Sequence, residues 1–198
     1  MRAALVAASV ALMATSWLVS SAPAQADPWC NPGGPPDGAA TRPFAGGVVW
    51  VSGNGLVGVT TEEGTGSLRV VSDSPMPMQA LVVDAQSDGQ KQLIVSDGRV
   101  AHLYVVEGCR INQVFDGQGV SFVFDLAGTG VGCEDLGGGR RLVALQSLPD
   151  GVRRTEITIN GTTAIRGRSD TVAGTASAPT ITCGDQTMAA DGVQQPGA

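Results

Sequence analysis

Short runs of Val, Ile and Thr, separated by tight-turn pairs, constrain this 198-residue chain more than any other feature. Asn-Gly and Asp-Gly pairs are typical of two-residue β-hairpins, because both positions accept the positive φ angles that such turns require. The pairs are Asn54-Gly55, Asp97-Gly98 and Asn160-Gly161, with longer connections at Asp116-Gly117 plus Gly119 and at Pro149-Asp150-Gly151. No window after residue 26 keeps a helical period. The pattern therefore predicts an all-β domain folded as an antiparallel strand meander.

The first 26 residues have the composition of an export signal. Arg2 precedes an apolar run from Ala3 to Val19, and small residues lead up to Ala26. The length of the run allows a membrane anchor, but Ala, Ser and Thr dilute it, and the A-Q-A stretch before Asp27 fits a signal-peptidase site. We therefore expect a secreted, extracellular protein whose signal is cleaved near Ala26, with no membrane attachment afterwards. Arginine dominates over lysine, and Ala, Gly and Val are abundant, a bias typical of a GC-rich coding sequence, so we expect an actinobacterial source.

Composition divides the rest of the chain into three regions. Residues 27–46 are rich in Pro and Gly and predict a linker. Residues 47–170 carry the strand pattern and predict an all-β repeat domain, and residues 171–198 predict a C-terminal segment that Cys183 ties down and whose end is disordered. The net charge of −6 opposes contact with a nucleic acid backbone. We therefore expect no nucleic acid partner. We also expect a monomer.

Two segments of the repeat domain look like copies of one another. The first, LVVDAQSDGQKQLIVSDGRVAHLYVV, begins at Leu81, and the second, VGCEDLGGGRRLVALQSLPDGVRRTEITI, begins at Val131. Each places an aspartate, Asp84 or Asp135, before a glycine-containing loop, a basic residue, an apolar strand, a turn and a second strand. Spacings of about 40 to 50 residues between such units are typical of propeller blades. We therefore predict a small or partial propeller-like arrangement of three to four blades, with a β-sandwich as the alternative.

The stretch DAQSDGQKQLIV, with its partner EDLGGGRRLVAL, resembles the FG-GAP or VCBS-type repeat of integrin-α-like β-propellers. Those repeats carry an aspartate-rich calcium loop just before an apolar strand. The resemblance implies a role in binding or adhesion, through loops at one rim of the blades, with calcium at most structural. The chain is too short for a closed seven-bladed propeller, which needs about 40 residues per blade.

Carried over from this resemblance, Asp84, Gln86 and Asp88 are the candidate calcium ligands, and calcium is the one candidate cofactor. Their oxygens stand at alternate positions, and Gly89 permits the sharp turn that brings such oxygens together. The alternative is an Asx-type turn with its carboxylates in water. At the corresponding place in the second copy only Asp135 supplies a side-chain oxygen, so we expect no metal there.

The four cysteines predict two disulfides, because an exported chain meets an oxidising environment. Three pairings are possible. We favour Cys109 with Cys133 and Cys30 with Cys183, the second of which would bring the two ends of the domain together and favour a closed ring. Pairing of Cys30 with Cys109 would instead favour an open sandwich.

The sequence predicts no catalytic residue. His102, the one histidine, falls in a strand run on the same face as Val100 and Tyr104, which indicates a strand residue rather than a general base. Glu134 beside Asp135, with Asp125 nearby, is the one local carboxylate cluster. We therefore predict a non-enzymatic binding, adhesion or structural domain whose partner is an extracellular protein or glycan. The alternative is an extracellular hydrolase acting on cell-wall glycan with carboxylates from separate loops.

Overall fold

The computed structural model describes residues 29–174 and 180–197, and the expected export signal in residues 1–26 lies outside them. The described chain contains sixteen strands and one short helix, α1 (Met188–Asp191). No helix within the described residues is long and apolar enough to cross a membrane. The strands are β1 (Ala40–Phe44), β2 (Gly47–Val51), β3 (Leu56–Thr61), β4 (Gly64–Arg69), β5 (Gln79–Val83), β6 (Lys91–Ser96), β7 (Val100–Glu107), β8 (Arg110–Gln113), β9 (Val123–Asp125), β10 (Thr129–Asp135), β11 (Arg140–Leu148), β12 (Gly151–Asn160), β13 (Thr163–Val172), β14 (Thr182–Cys183), β15 (Gln186–Thr187) and β16 (Val193–Gln194).

The strands form three large antiparallel sheets in chain order, which confirms the all-β meander. The first sheet has the order β1-β2-β3-β4, the middle sheet β16-β5-β6-β7-β8 with β9 on β7, and the last sheet β10-β11-β12-β13. Strands β14 and β15 form a small hairpin of their own. Each large sheet therefore contains one consecutive four-stranded meander.

The hairpin turns lie where the Asn-Gly and Asp-Gly pairs predicted them. Asn54-Gly55 joins β2 to β3, Asp97-Gly98 joins β6 to β7, and Asn160-Gly161 joins β12 to β13. Only the glycine of each pair has a positive φ, at +77°, +83° and +57° respectively. The expectation of a positive φ at both residues of each pair is therefore wrong, although each pair lies at the hairpin that it predicted.

The three large sheets stack face to face, with the middle sheet between the other two. One hydrophobic cluster joins the first sheet to one face of the middle sheet, and a second joins the last sheet to the opposite face. Along β6, Leu93 packs towards the first sheet and its neighbour Ile94 towards the last sheet. The middle sheet is therefore buried on both faces, and the stack is an open, three-layered arrangement.

Within residues 29–174 and 180–197, strands occur in both regions that the composition predicted to be a linker or a disordered end. Strand β1 lies inside residues 27–46, which were predicted to be a linker; its exposed Pro43 suits an edge position, where no inward ladder bond is lost. The C-terminal end, predicted to be disordered, adds β16 to the edge of the middle sheet at β5. The backbone N–H of Gln195 donates to the carbonyl of Met78 at 2.8 Å, which continues this pairing.

The predicted disulfide pairing is wrong. The structure joins Cys30 to Cys109 and Cys133 to Cys183, with Cα–Cα distances of 5.7 and 4.6 Å. Cys109 lies in the turn between β7 and β8, against the first sheet, whereas Cys133 belongs to the cluster between the middle and last sheets. The middle sheet therefore separates the two residues that we expected to pair. The observed bond from Cys30 to Cys109 agrees with the open stack.

Residues 31–39 lead from one edge of the first sheet to the other. Asn31 pairs with the edge strand β4, and the chain then crosses to the opposite edge, where β1 begins. Trp50 on β2 points to the outer face of this sheet, because its neighbours Val49 and Val51 pack against the middle sheet and side chains alternate along a strand. Even so, Trp50 is only 2% exposed. The proline-rich segment is attached to the first sheet at both ends, at β4 through Asn31 and at β1, rather than being a free linker.

Candidate functional site

A groove of about 810 Å³ opens at one end of the first and middle sheets, and we call it the inter-sheet groove. Four turns build it, because antiparallel meanders bring alternate turns to the same end. The turns are those between β1 and β2, β3 and β4, β5 and β6, and β7 and β8. The lining residues used below are Phe44, Thr60, Thr61, Glu62, Glu63 and Lys91.

The groove combines an aromatic ring with hydroxyl and charged groups. Phe44 is half-buried and packs partly against the cluster between the first and middle sheets, so its ring is held in place. Glu62 and Glu63 are exposed at the β3–β4 turn. The Glu63 carboxylate lies over Gly108, where a Cβ atom would overlap it. A few polar groups beside an apolar surface in a concave site are typical of small-ligand binding.

The predicted calcium loop forms one wall of the groove, through Gly89 and Lys91. Asp84 accepts hydrogen bonds from the backbone N–H groups of Asp88 and Gly89, at 3.2 and 3.1 Å, and its Oδ2 pairs with Lys91 Nζ at 3.2 Å. Burial raises the pKa of Asp84, but the hydrogen bond and charge of Lys91, with the two backbone donors, outweigh it and hold the pKa below its ordinary value. The carboxylate therefore already has a cation and two donors.

The side chain of Gln86 bonds to the last sheet rather than to the Asp84 carboxylate. Its Nε2 donates to the carbonyl of Ile159 at 3.0 Å and also to Asp88 Oδ2 at 3.0 Å, and its Oε1 accepts from the backbone N–H of Ile159 at 2.8 Å. Ile159 belongs to β12 of the last sheet. Gln86 therefore joins the middle sheet to the last sheet, a role that the sequence did not suggest.

The three candidate ligands lie in one loop, but this arrangement does not fit a calcium ion. The Gln86 oxygen that would bind the ion accepts a backbone hydrogen bond instead, and Lys91 places a positive charge on Asp84. Among residues 29–174 and 180–197, no three His, Cys, Asp or Glu side chains form a group that could hold a metal. The geometry agrees with the alternative of an Asx-type turn.

The second copy of the loop is closed in a similar way. Asp135 Oδ1 accepts from the backbone N–H groups of Gly137, Gly138 and Gly139, at 2.6, 3.0 and 3.0 Å. The hydrogen bond from Gly137 is the main cause that lowers the pKa of Asp135. Both copies thus have a strand, a loop closed by an aspartate, and two further antiparallel strands.

The residues weighed for catalysis do not come together. Glu134 pairs with Arg154 on the last sheet, Asp135 closes its own loop, and Asp125 accepts from the backbone of Ala127. His102 lies in β7, partly buried. Burial lowers the pKa of His102, and the charge of Asp97 offsets part of that shift.

Ser72 and Asp97 at the opposite end of the middle sheet do not form a catalytic triad with His102. The Ser72 hydroxyl donates directly to Asp97 Oδ2 at 2.5 Å, whereas in a triad the histidine accepts from the serine and stands between it and the acid. Asp97 Oδ1 accepts from the backbone N–H groups of Arg99 and Val100. These contacts hold the β6–β7 turn.

Sequence reasoning missed most of the inter-sheet groove. Phe44 fell within the predicted linker, and Glu62 and Glu63 stand in a turn whose neighbours in space come from another sheet. The one available signal was the position of the glycine turns, which places the ends of successive hairpins side by side. No protein-family model matches the chain, and no similar curated protein or solved structure was found.

Proposed function

We propose that this protein is a secreted, non-enzymatic binding domain that takes up an extracellular glycan in the inter-sheet groove. The groove itself carries the proposal: four turns from two sheets place Phe44, Thr60, Thr61, Glu62 and Glu63 around one concave surface of about 810 Å³. An aromatic face suits the apolar C–H side of a sugar ring. Hydroxyl and carboxylate oxygens suit the sugar hydroxyls, because each can accept a hydrogen bond.

Two further observations support a binding role in the extracellular space. The two disulfides are compatible with an oxidising compartment, as is the signal predicted in residues 1–26. The predicted kinship with FG-GAP/VCBS repeats implies binding through loops at one rim, and the groove lies at one such rim. The ion pair of Lys91 with Asp84 lies at its wall.

Binding of the oxidised protein to soluble bacterial cell-wall polysaccharides, on an array and then by calorimetry, tests the proposal. We expect Phe44→Leu and Glu63→Gln each to weaken binding about tenfold or more, which corresponds to about 1.4 kcal/mol. Phe44→Leu keeps an apolar side chain against the core and removes the ring. Phe115→Leu is the matched control, because Phe115 is exposed outside the groove.

The outcomes separate the alternatives. If no polysaccharide binds, or if both groove variants bind as tightly as the wild type, the proposal is wrong. Retention of an extracellular protein on the same groove, lost with Glu63→Gln, would replace the glycan with a protein ligand. Steady release of reducing ends from the polysaccharide, lost with Glu63→Gln, would favour the hydrolase alternative.

A further inference from the structure

The two disulfides differ in accessibility and in neighbours. Cys30 and Cys109 are 8% and 0% exposed, so the bond between them is enclosed. In the other pair, Cys133 is half-buried and Cys183 is 1% exposed. A thiol from solvent can therefore approach the second disulfide from the side of Cys133 more easily than it can approach the first.

A guanidinium group stands beside the buried sulfur of the second disulfide. Nη2 of Arg140 donates to Sγ of Cys183 at 3.2 Å. Nε of Arg140 is buried and has no hydrogen-bond partner. Gly184 leaves room for this approach, because a Cβ atom there would lie 3.0 Å from Nη2. A fixed positive charge thus faces a sulfur atom that becomes negative when the disulfide opens.

We propose that Cys133–Cys183 is a thiol-reactive disulfide, opened by exchange with an extracellular thiol, and that Arg140 stabilises the Cys183 thiolate that leaves. In the first step a thiolate attacks Sγ of Cys133, a mixed disulfide forms with Cys133, and Cys183 departs with the electron pair. A second thiolate attacks the mixed disulfide, which gives the oxidised form of the reagent and leaves Cys133 as a thiolate. Exchange is faster when the leaving thiolate is better stabilised.

Opening this disulfide would free the C-terminal segment from its one covalent tie. Within residues 180–197, Ile181 and Met188 pack into the cluster between the middle and last sheets, and Val193 packs into the other cluster. The segment also supplies β16 to the edge of the middle sheet. The bond therefore lies where reduction would loosen the end of the chain while both outer sheets keep their contacts.

Timed reduction of the full oxidised chain tests the proposal. Samples treated with a low concentration of dithiothreitol are quenched, alkylated and mapped by mass spectrometry, so that each disulfide reports its own rate. We expect Cys133–Cys183 to open about tenfold faster than Cys30–Cys109. Limited proteolysis of the partly reduced protein should then cleave first within residues 180–197.

Substitution of Arg140 separates its role from general loosening. Arg140→Gln should slow the opening of Cys133–Cys183 about three- to tenfold, and Arg140→Lys, which keeps the charge, should restore most of the rate. Arg141→Gln is the matched control, since Arg141 is the next residue on β11 and points to the opposite face. A loosened fold would speed reduction, so slower reduction cannot come from unfolding. Equal rates for the two disulfides, or an Arg140→Gln protein that reacts as fast as the wild type or faster, would overturn the proposal.

Discussion

The two faces of the middle sheet are covered in different ways. Towards the first sheet the partners are chiefly valines, Val49, Val51, Val57 and Val59. Towards the last sheet they include larger side chains, among them Leu142, Ile157 and Ile159, together with the C-terminal Met188. The middle strands therefore need apolar residues at successive positions, whereas the outer strands can alternate. Similar hairpin patterns are therefore buried to different extents, depending on whether their sheet is the middle layer or an outer layer of the stack.

Among the polar connections on the two sides of the middle sheet, that of Gln86 is neutral and that of Asp97 is charged. Towards the last sheet, the neutral amide of Gln86 bonds both backbone groups of Ile159. In the segment that leads from β4 of the first sheet to β5, the Ser72 hydroxyl donates to the side chain of Asp97 at 2.5 Å. The Ser74 hydroxyl donates to the backbone carbonyl of Asp97 at 2.6 Å. The Gln86 connection therefore uses an amide, which does not titrate, and the Asp97 connection uses a carboxylate.

The largest expected effect on the free energy of unfolding comes from truncating a buried side chain on either face of β6. Leu93 and Ile94 are both 0% exposed and face opposite clusters. We expect Leu93→Ala and Ile94→Ala each to lower the free energy of unfolding by about 2–5 kcal/mol, because each leaves a cavity in a packed interior. Urea denaturation followed by circular dichroism measures both.

Val71→Ala provides the control for this pair, because Val71 is 83% exposed. It should change the free energy of unfolding by no more than about 0.5 kcal/mol. If Leu93→Ala were as mild as this control while Ile94→Ala were severe, the first sheet would not cover the middle sheet. The comparison between the two faces would then fail.

The next effect concerns the outer layer of the first sheet. A Cβ added at Gly58 would overlap the Cζ2 and Cε2 atoms of Trp50 and lie 2.6 Å from the carbonyl oxygen of Gly66. We expect Gly58→Ala to cost about 1–3 kcal/mol, since the buried indole has to move. The midpoint of urea denaturation measures this. Gly117→Ala, where a Cβ would meet nothing within 4 Å, is the control, and an equal midpoint for the two variants would show that Trp50 is not confined.

A smaller effect tests the neutral connection between the middle and last sheets. Gln86→Ala leaves both backbone groups of Ile159 without these partners, and we expect a loss of about 1–2 kcal/mol. Thermal melts measure it at pH 7 and at pH 4, and most of the loss should persist at pH 4, because the two bonds to the backbone of Ile159 involve no titratable group. Gln118→Ala, at an exposed loop position, is the control.

The same melts examine the calcium hypothesis. Since Gln86 is engaged with Ile159 and Asp84 with Lys91, we expect neither calcium nor a chelator to move the melting temperature of the wild type. A rise with calcium that disappears in Asp84→Asn would restore the predicted metal site. It would also mean that the loop rearranges when the ion binds.

Sequence patterns predicted the local structure of this chain far better than its assembly. Asn160-Gly161 placed a hairpin because turn chemistry is local, and the run KQLIVS indicated a strand because its composition is local too. The pairing of Cys30 with Cys109 depends on which cysteines lie on the same side of the middle sheet. The hydrogen bonds of Gln86 depend on Ile159, which lies 73 positions away in the sequence. Such contacts follow from how sheets stack, which no single stretch of sequence encodes.

The smallest effect should distinguish the charged connection from the neutral one through pH. Burial raises the pKa of Asp97, but the hydrogen bonds from Ser72 and from the backbone of Val100 and Arg99 outweigh it and hold the pKa below its ordinary value. The unfolded chain therefore takes up a proton at a higher pH than the folded protein does. The stabilisation by Asp97 is complete above the unfolded pKa of about 4 and is lost as the pH falls through the folded pKa.

Urea denaturation of the wild type and of Asp97→Asn between pH 5 and pH 2.5 measures this contribution. We expect the stability of the wild type to fall more steeply over that window than the stability of Asp97→Asn, so that the difference between the two proteins narrows as the pH decreases. Gln86→Ala should follow the wild type more closely than Asp97→Asn does over the same window, because its two bonds to Ile159 involve no titratable group. Parallel curves for Asp97→Asn and the wild type would show that the Asp97 carboxylate does not stabilise the fold through this connection. The two faces of the middle sheet would then differ only in the size of their apolar side chains.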